Sequence, residues 1–391
     1  MMKTLLYAAL LSSTLTASEK PLPEKVQFNR DIQPILSDTC FTCHGPSKPA
    51  RKGDLRLDRP DDLFDKRDDY HIIIRGKPEE SELIRRISRT GRGQMPPRSS
   101  GRKLTSRQIE LLKRWVKQGA QWQKHWAFLP PKRASIPVVK KKSWPRQPLD
   151  SFILARLESE ELEPSPETSR ETWIRRVTLD LIGLPPTLAE IDNFVDDSSP
   201  NAFEKVVDRL LASPRYGEHH ASSWLDAARY ADTNGYQQDR TRTMWPWKDW
   251  LIRALNHNMP FDQFTIEQMA GDLLPGATVS QKVATGFHRN HMLNGEGGRI
   301  AEESRVEYVI DRLDTTSTVW LGLTMACSRC HDHKYDPISQ EEFYRFYAYF
   351  NSIDERGNVD RGGNANPVIR VPTPEQIAKR ERLRAQIKVA K

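Results

Sequence analysis

The sequence predicts a mainly α protein in two parts, a small helical domain followed by a larger all-α one. Three observations carry this. Apolar residues recur at helical spacing along most of the chain, strand-like alternation is nearly absent, and a proline-punctuated stretch separates two runs of helical pattern. Hydrophobic content of 37% beside 29% charge fits globular packing rather than a disordered tail. The expected division is a small domain over 24–122, a Pro/Lys-rich linker over 123–148, a helical domain over 149–351, and a linker with the start of a charged helix over 352–391.

Residues 1–18 read as a secretory signal. Lys3 gives the positive start, Leu5 to Leu11 the apolar run, and Thr16, Ala17 and Ser18 the small residues of a cleavage site. The alternative is an N-terminal helix of the first domain. No later stretch approaches the length of a bilayer-spanning helix, so no spanning segment is expected after cleavage. Phe28, Ile32, Ile35 and Leu36 predict a helix that runs into Cys40. Residues 47–92, charged and rich in Gly and Pro, predict loop with short helical pieces. Thr105 with Gln108 is a capping-box pattern, Ile109, Leu112 and Val116 share one face, and Gly119 follows as a stop. Prolines 130, 131, 137, 145 and 148 mark the linker as extended.

From Leu149 onward the pattern is helix after helix. Pro185–Pro186–Thr187 breaks one helix and starts the next. Further helices are expected over 202–212, 215–231, 246–257, 262–270, 279–287, 302–325 and 340–350. The tail from Pro374 has no stop signal and reads as the start of a longer helix, which suggests a truncated form.

All four cysteines fall in two Cys-x-x-Cys-His units, Cys40–Cys43–His44 and Cys327–Cys330–His331. In such a unit two thiols add to the two vinyl groups of one haem, and the adjacent imidazole binds the iron. No cysteine is left for a separate disulfide framework. The rivals are a four-thiolate zinc site, which leaves both histidines unexplained, and a pair of reversible disulfides. Two covalent c-type haems are the leading expectation.

The first motif has a second support. Met95, followed by Pro96 and Pro97, precedes the capped helix at Thr105. Two prolines keep that segment out of a helix, as a thioether crossing the far face of a haem requires. A His44/Met95 pair raises the reduction potential, which suits electron transfer. The last helix of this domain should then pack on the one before Cys40. At the second motif His331 is the proximal candidate and His333 a residue that hydrogen-bonds nearby. The distal ligand stays open among His288, His291, Met292, His219 and His220. An iron left open there would permit peroxide or oxygen chemistry.

The 60 basic and 52 acidic residues leave a formal charge of +8, which the propionates of two haems would reduce. Charge therefore gives no case for nucleic acid, and no nucleic-acid-binding signature is present. Between Arg98 and Arg146 there are 14 basic residues and one acid, Glu110. This is either a solvated linker and helix face or a docking patch for an acidic redox partner.

Phe28–Asn29–Arg30–Asp31–Ile32, Cys40 to Gly45, Lys52 to Asp58 and Met95–Pro96–Pro97 together resemble the small class I cytochrome c-like domain of the planctomycete cytochrome c proteins. The region from Trp126 to Asn351 is similar to the domain of unknown function that follows in that family. Its marks are Trp126–Ala127–Phe128, Arg175 to Leu181, Gly183 to Thr187, Ser213 to Glu218, Trp224–Leu225–Asp226, Ala228 to Asp232, Gly271 to Pro275 and Cys330 to Pro337. The resemblance implies haem binding and an envelope location, with no established reaction, and a further C-terminal domain in most members. It also implies a His directly before Trp224, where this chain has Ser223. If that His is a haem ligand, the role is lost here or taken by His220, one turn earlier.

The leading function is an exported dihaem cytochrome that transfers electrons, the accepting half of an envelope oxidation system. The alternatives are a dihaem peroxidase or oxidoreductase with an open iron at His331, and a non-redox carbohydrate- or partner-binding module suggested by Trp245, Trp247 and Trp250.

Overall fold

The computed structural model describes residues 21–67, 69–236, 239–296, 298–357 and 363–390. The expected export signal, 1–18, lies outside the described residues. The chain divides into two compact units. One runs to Leu129 and includes Cys330–Gln340; the other comprises Pro130–Arg329 and Glu341–Lys391.

In the first unit, the apolar spacing from Val26 to Leu36 folds as a π-helical turn, Phe28–Ile32, continuing into α1 (Gln33–Thr39). Pro34 sits in the first turn of α1, where its missing N–H costs no hydrogen bond. Helix α2 (Phe41–His44) follows at once. The stretch expected to be mostly loop holds α3 (Pro60–Phe64), the two-residue strands β1 (Lys66–Arg67) and β2 (Tyr70–His71), paired antiparallel, and α4 (Glu82–Ser88). Helix α5 (Ser106–Lys117) starts with the expected reciprocal cap, in which Thr105 accepts from the Gln108 N–H and the Gln108 side chain accepts from the Thr105 N–H.

The closing helix packs on the opening one, as the sequence requires. Phe28 lies 5.5 Å from the Trp115 ring and 4.1 Å from Trp122. The Val26 N–H donates to Gln118 at 2.9 Å, and Trp115 Nε1 donates to the Gln121 carbonyl at 3.0 Å. Ile32, Leu36, Leu57, Leu63, Leu112 and Val116 fill the core between them.

The second unit is helical throughout. It contains α6 (Pro148–Ser159), α7 (Arg170–Ile182), α8 (Leu188–Asp196), α9 (Ala202–Leu211), α10 (Pro214–Ala227), α11 (Trp245–Asn256), α12 (Phe261–Ala270), α13 (Val279–Ala284), α14 (Ala301–Thr316), α15 (Gln340–Asn351) and α16 (Pro374–Ala390). Helices α7, α8 and α9 enclose Ile174, Phe194, Val206 and Leu210. Helix α10 crosses α11 at Gly217, where an added Cβ would meet the Ile252 carbonyl at 2.5 Å; only glycine permits that approach.

Three helices stop earlier than expected. Helix α13 ends at Ala284 and passes into a 3-10 turn, Thr285–Arg289. Helix α14 gives way to a π-helical turn, Ser317–Leu321, ended by Gly322 in the left-handed region at φ 63°. Helix α10 ends at Ala227 because Arg229 also adopts a left-handed conformation, φ 59°. The aromatic patch is corrected as well. Trp247 and Trp250 are 1% and 3% exposed and form core with Leu251, Phe264 and Phe287, leaving Trp245 alone on the surface. Among the described residues, no helix is long and apolar enough to cross a membrane.

Candidate functional site

A helical turn brings residues i, i+3 and i+4 to one side, so Cys40, Cys43 and His44 can meet one flat ligand if that turn forms. It does. The Cys43 and His44 N–H groups donate to the Cys40 carbonyl at 3.1 and 2.9 Å. Both thiols are free and half-buried. Burial pushes the Cys40 thiol up to about 12, so it stays protonated.

The segment Lys52–Leu57 clamps the motif from outside. The Lys52 N–H donates to the Cys43 carbonyl and the Leu57 N–H to the His44 carbonyl, each at 2.8 Å. Gly45 is required at the bend, because a Cβ there would lie 2.3 Å from the Phe41 carbonyl oxygen. Arg51 ties the turn further, donating to the Pro46 carbonyl at 2.9 Å. Burial lowers the His44 pKa, with the backbone at Lys52 and Leu55 acting in the opposite sense. His44 Nδ1 is enclosed without a hydrogen-bond partner.

Met95 is half-buried and packs against the same apolar core as Cys40. Its N–H donates to the Arg86 carbonyl at 3.0 Å, which ties the Met-Pro-Pro segment to the end of α4. Two free thiols and an unsatisfied imidazole on one turn, with a thioether in the same core, fit a covalent haem.

The second motif is built differently. Cys327 lies in a 3-10 turn, Ala326–Arg329, and is exposed. Cys330 and His331, assigned to the other unit, are exposed too. His331 Nδ1 lies 2.7 Å from the Asp332 carbonyl. A carbonyl only accepts, so Nδ1 carries the proton and Nε2 is left with its lone pair, the tautomer a metal needs. His333 is buried and structural. Its Nδ1 accepts from the N–H groups of Tyr335 and Asp336, at 3.3 and 2.9 Å, and its own N–H donates to Ile338. Asp336 in turn binds His125 Nε2 at 3.0 Å. That nitrogen of His333 is spent on the turn rather than on any bound group.

The distal candidates separate clearly. His288 is buried against Phe287 and Phe350, with neither ring nitrogen partnered. Burial lowers its pKa to about 4, with help from Arg312. His220 packs on Tyr216, and its Nε2 is enclosed without a partner. His291 is not available. Its Nε2 accepts from Arg312 at 2.8 Å and its Nδ1 donates to the Met292 carbonyl at 2.9 Å. The His219 ring fills the space beside Gly183, and Met292 is largely exposed.

Sequence reasoning missed a buried ionic network. Arg312 is fully enclosed and pairs through both Nη atoms with both carboxylate oxygens of Glu355, while Arg289 reaches the same carboxylate at 3.1 Å. The available signal was a basic residue among buried Val309, Ile310 and Leu313 on α14. Within either unit, among the described residues, no group of three or more His, Cys, Asp or Glu is placed to hold a metal ion.

Residues 40–99 match the family described as planctomycete cytochrome C. Residues 148–355, more than half of the chain, match the family described as a protein of unknown function (DUF1549). No curated protein and no solved structure matches the chain. The chain therefore belongs to the DUF1549 family, with a planctomycete cytochrome C segment ahead of that domain carrying the haem-binding pattern of a c-type cytochrome.

Proposed function

We propose that this protein is an exported dihaem cytochrome that transfers electrons in the cell envelope. The observation that carries the reading is the turn at Cys40–Cys43–His44, with both thiols free and His44 Nδ1 unsatisfied, sharing one core with Met95. Cys40 and Cys43 would hold the first haem by thioether bonds, and His44 and Met95 would bind its iron. Once bound, the haem supplies a one-electron couple; the protein sets its potential through the ligand pair and burial. The clamp at Lys52–Leu57 would hold the backbone of His44, and so its imidazole, in place for that group.

Cys327 and Cys330 would hold a second haem, with His331 to bind its iron. The tautomer of His331, proton on Nδ1, supports that role. Within the second unit, His288 and His220 each keep an enclosed, unpartnered ring nitrogen. The basic run from Arg98 to Arg146 suits an acidic redox partner.

The test of the ligand pair is Met95→Ala. The variant is expected to keep its covalent haem, lose the sulfur-to-iron band at the red end of the oxidised spectrum, and show a lower potential. An unchanged band would remove Met95 from the iron.

A second reading keeps the iron at His331 open for peroxide chemistry. The exposure of Cys327, Cys330 and His331 favours it. Two low-spin, six-coordinate haems in resting protein would argue against it.

A further inference from the structure

Arg229 sits just past the end of α10, in the left-handed backbone region at φ 59°. A residue with a Cβ adopts that conformation only rarely. The conformation sends the guanidinium to α14, where Nη1 pairs with the Asp311 carboxylate and also reaches the Asp311 carbonyl at 3.4 Å. The contact is one-sided. Nε and Nη2 are enclosed and have no hydrogen-bond partner among the described residues. An enclosed charged donor without a partner is costly to keep, so a bare edge calls for an acceptor.

Its neighbours are unsatisfied in the same way. Asp314, three residues beyond Asp311 on the same face of α14, has an enclosed Oδ1 with no partner. Burial and then the charge of Asp311 raise its pKa to about 6, with Arg329 and Arg229 opposing. His288 has both ring nitrogens enclosed and unpartnered. Enclosed donors and acceptors of this kind are satisfied by a polar ligand or by ordered water.

We propose that Arg229 anchors an oxyanion-binding site in the second unit, the free Nε–Nη2 edge of its guanidinium taking two oxygens of one carboxylate or phosphate group. Those two N–H groups are parallel and spaced for a single planar or tetrahedral oxyanion, a fit that lysine cannot reproduce. Asp311 holds the other side of the guanidinium and fixes its plane.

Two sources could supply the oxyanion. One is a propionate of a haem attached at Cys327. Arg329, two residues on, binds Glu307 at 2.7 and 3.1 Å and acts on Asp314, so the attachment segment runs along the same face of α14 as Arg229. This source rests on the dihaem reading. The other, a free small carboxylate or phosphate, does not.

The experiment compares full-length, periplasmically matured protein with Arg229→Lys and Arg229→Gln, with circular dichroism melts to establish folding. Arg229→Lys keeps the charge opposite Asp311 and is the variant expected to fold. Reduction potentials are read by spectroelectrochemistry, and inorganic phosphate and acetate binding by calorimetry. If a propionate occupies the edge, both variants shift the potential of one haem and leave the other unmoved, and neither anion binds the parent. If a free anion occupies it, the parent binds phosphate or acetate, and both variants weaken that binding by about tenfold or more. The second result stands even in a protein with a single haem, so it separates failure of the site from failure of the dihaem reading. Unmoved potentials in folded variants, together with anion binding that is absent or insensitive to Arg229, would overturn the proposal.

Discussion

Glu355→Ala is expected to destabilise the second unit by about 3–5 kcal/mol. Arg312 is enclosed completely, and its Nη2 lies 2.5 Å from Glu355 Oε2. Its Nε donates to the His288 carbonyl at 2.8 Å. Arg289 shares the carboxylate, and burial lowers its pKa to about 10. Truncating Glu355 leaves Arg312, fully enclosed, and Arg289, partly enclosed, without that counter-charge. His291 cannot help, because its one acceptor nitrogen already takes an Arg312 N–H. Glu355→Gln keeps the shape and one acceptor, so it should cost less than the alanine variant. Urea unfolding followed by circular dichroism measures both. A midpoint for Glu355→Ala within error of the parent would show that the pairing contributes nothing and that the cations are solvated.

Trp115→Ala should cost the first unit about 3–5 kcal/mol, by loss of buried surface and the cavity left behind. Trp115 is 1% exposed and packs on Phe28, the residue that opens the turn leading to α1 and Cys40. Its indole also satisfies the Gln121 carbonyl, which the variant leaves unpaired. Trp115→Phe keeps most of the volume and loses only that hydrogen bond, so its loss should be smaller. Urea melts of the two variants separate packing from hydrogen bonding. Equal losses would place the energy in the Gln121 contact rather than in the helix-on-helix core.

What the sequence reveals here is local. Thr105 and Gln108 announce a helix start because both hydrogen bonds of the cap lie within four residues. The spacing of Phe28, Ile32, Ile35 and Leu36 announces a buried face for the same reason. The haem motifs are legible because their chemistry needs adjacent residues. Long-range pairing is not. Nothing near Arg312 in the sequence points to Glu355, 43 residues away, and the two meet only once the second unit is folded. Trp247 and Trp250 could be read as surface aromatics until α11 packs against Phe264 and Phe287. Arg229 is hidden for another reason: an arginine in a left-handed position carries no sequence signature, since glycine or asparagine is the usual residue there.

The most direct measurement is a haem count on protein matured in a haem-attaching periplasm, by pyridine haemochrome absorbance together with intact mass. Two thioether-linked porphyrins per chain are expected, one lost in Cys40→Ser/Cys43→Ser and the other in Cys327→Ser/Cys330→Ser. A colourless protein with the mass of its bare polypeptide would contradict the account.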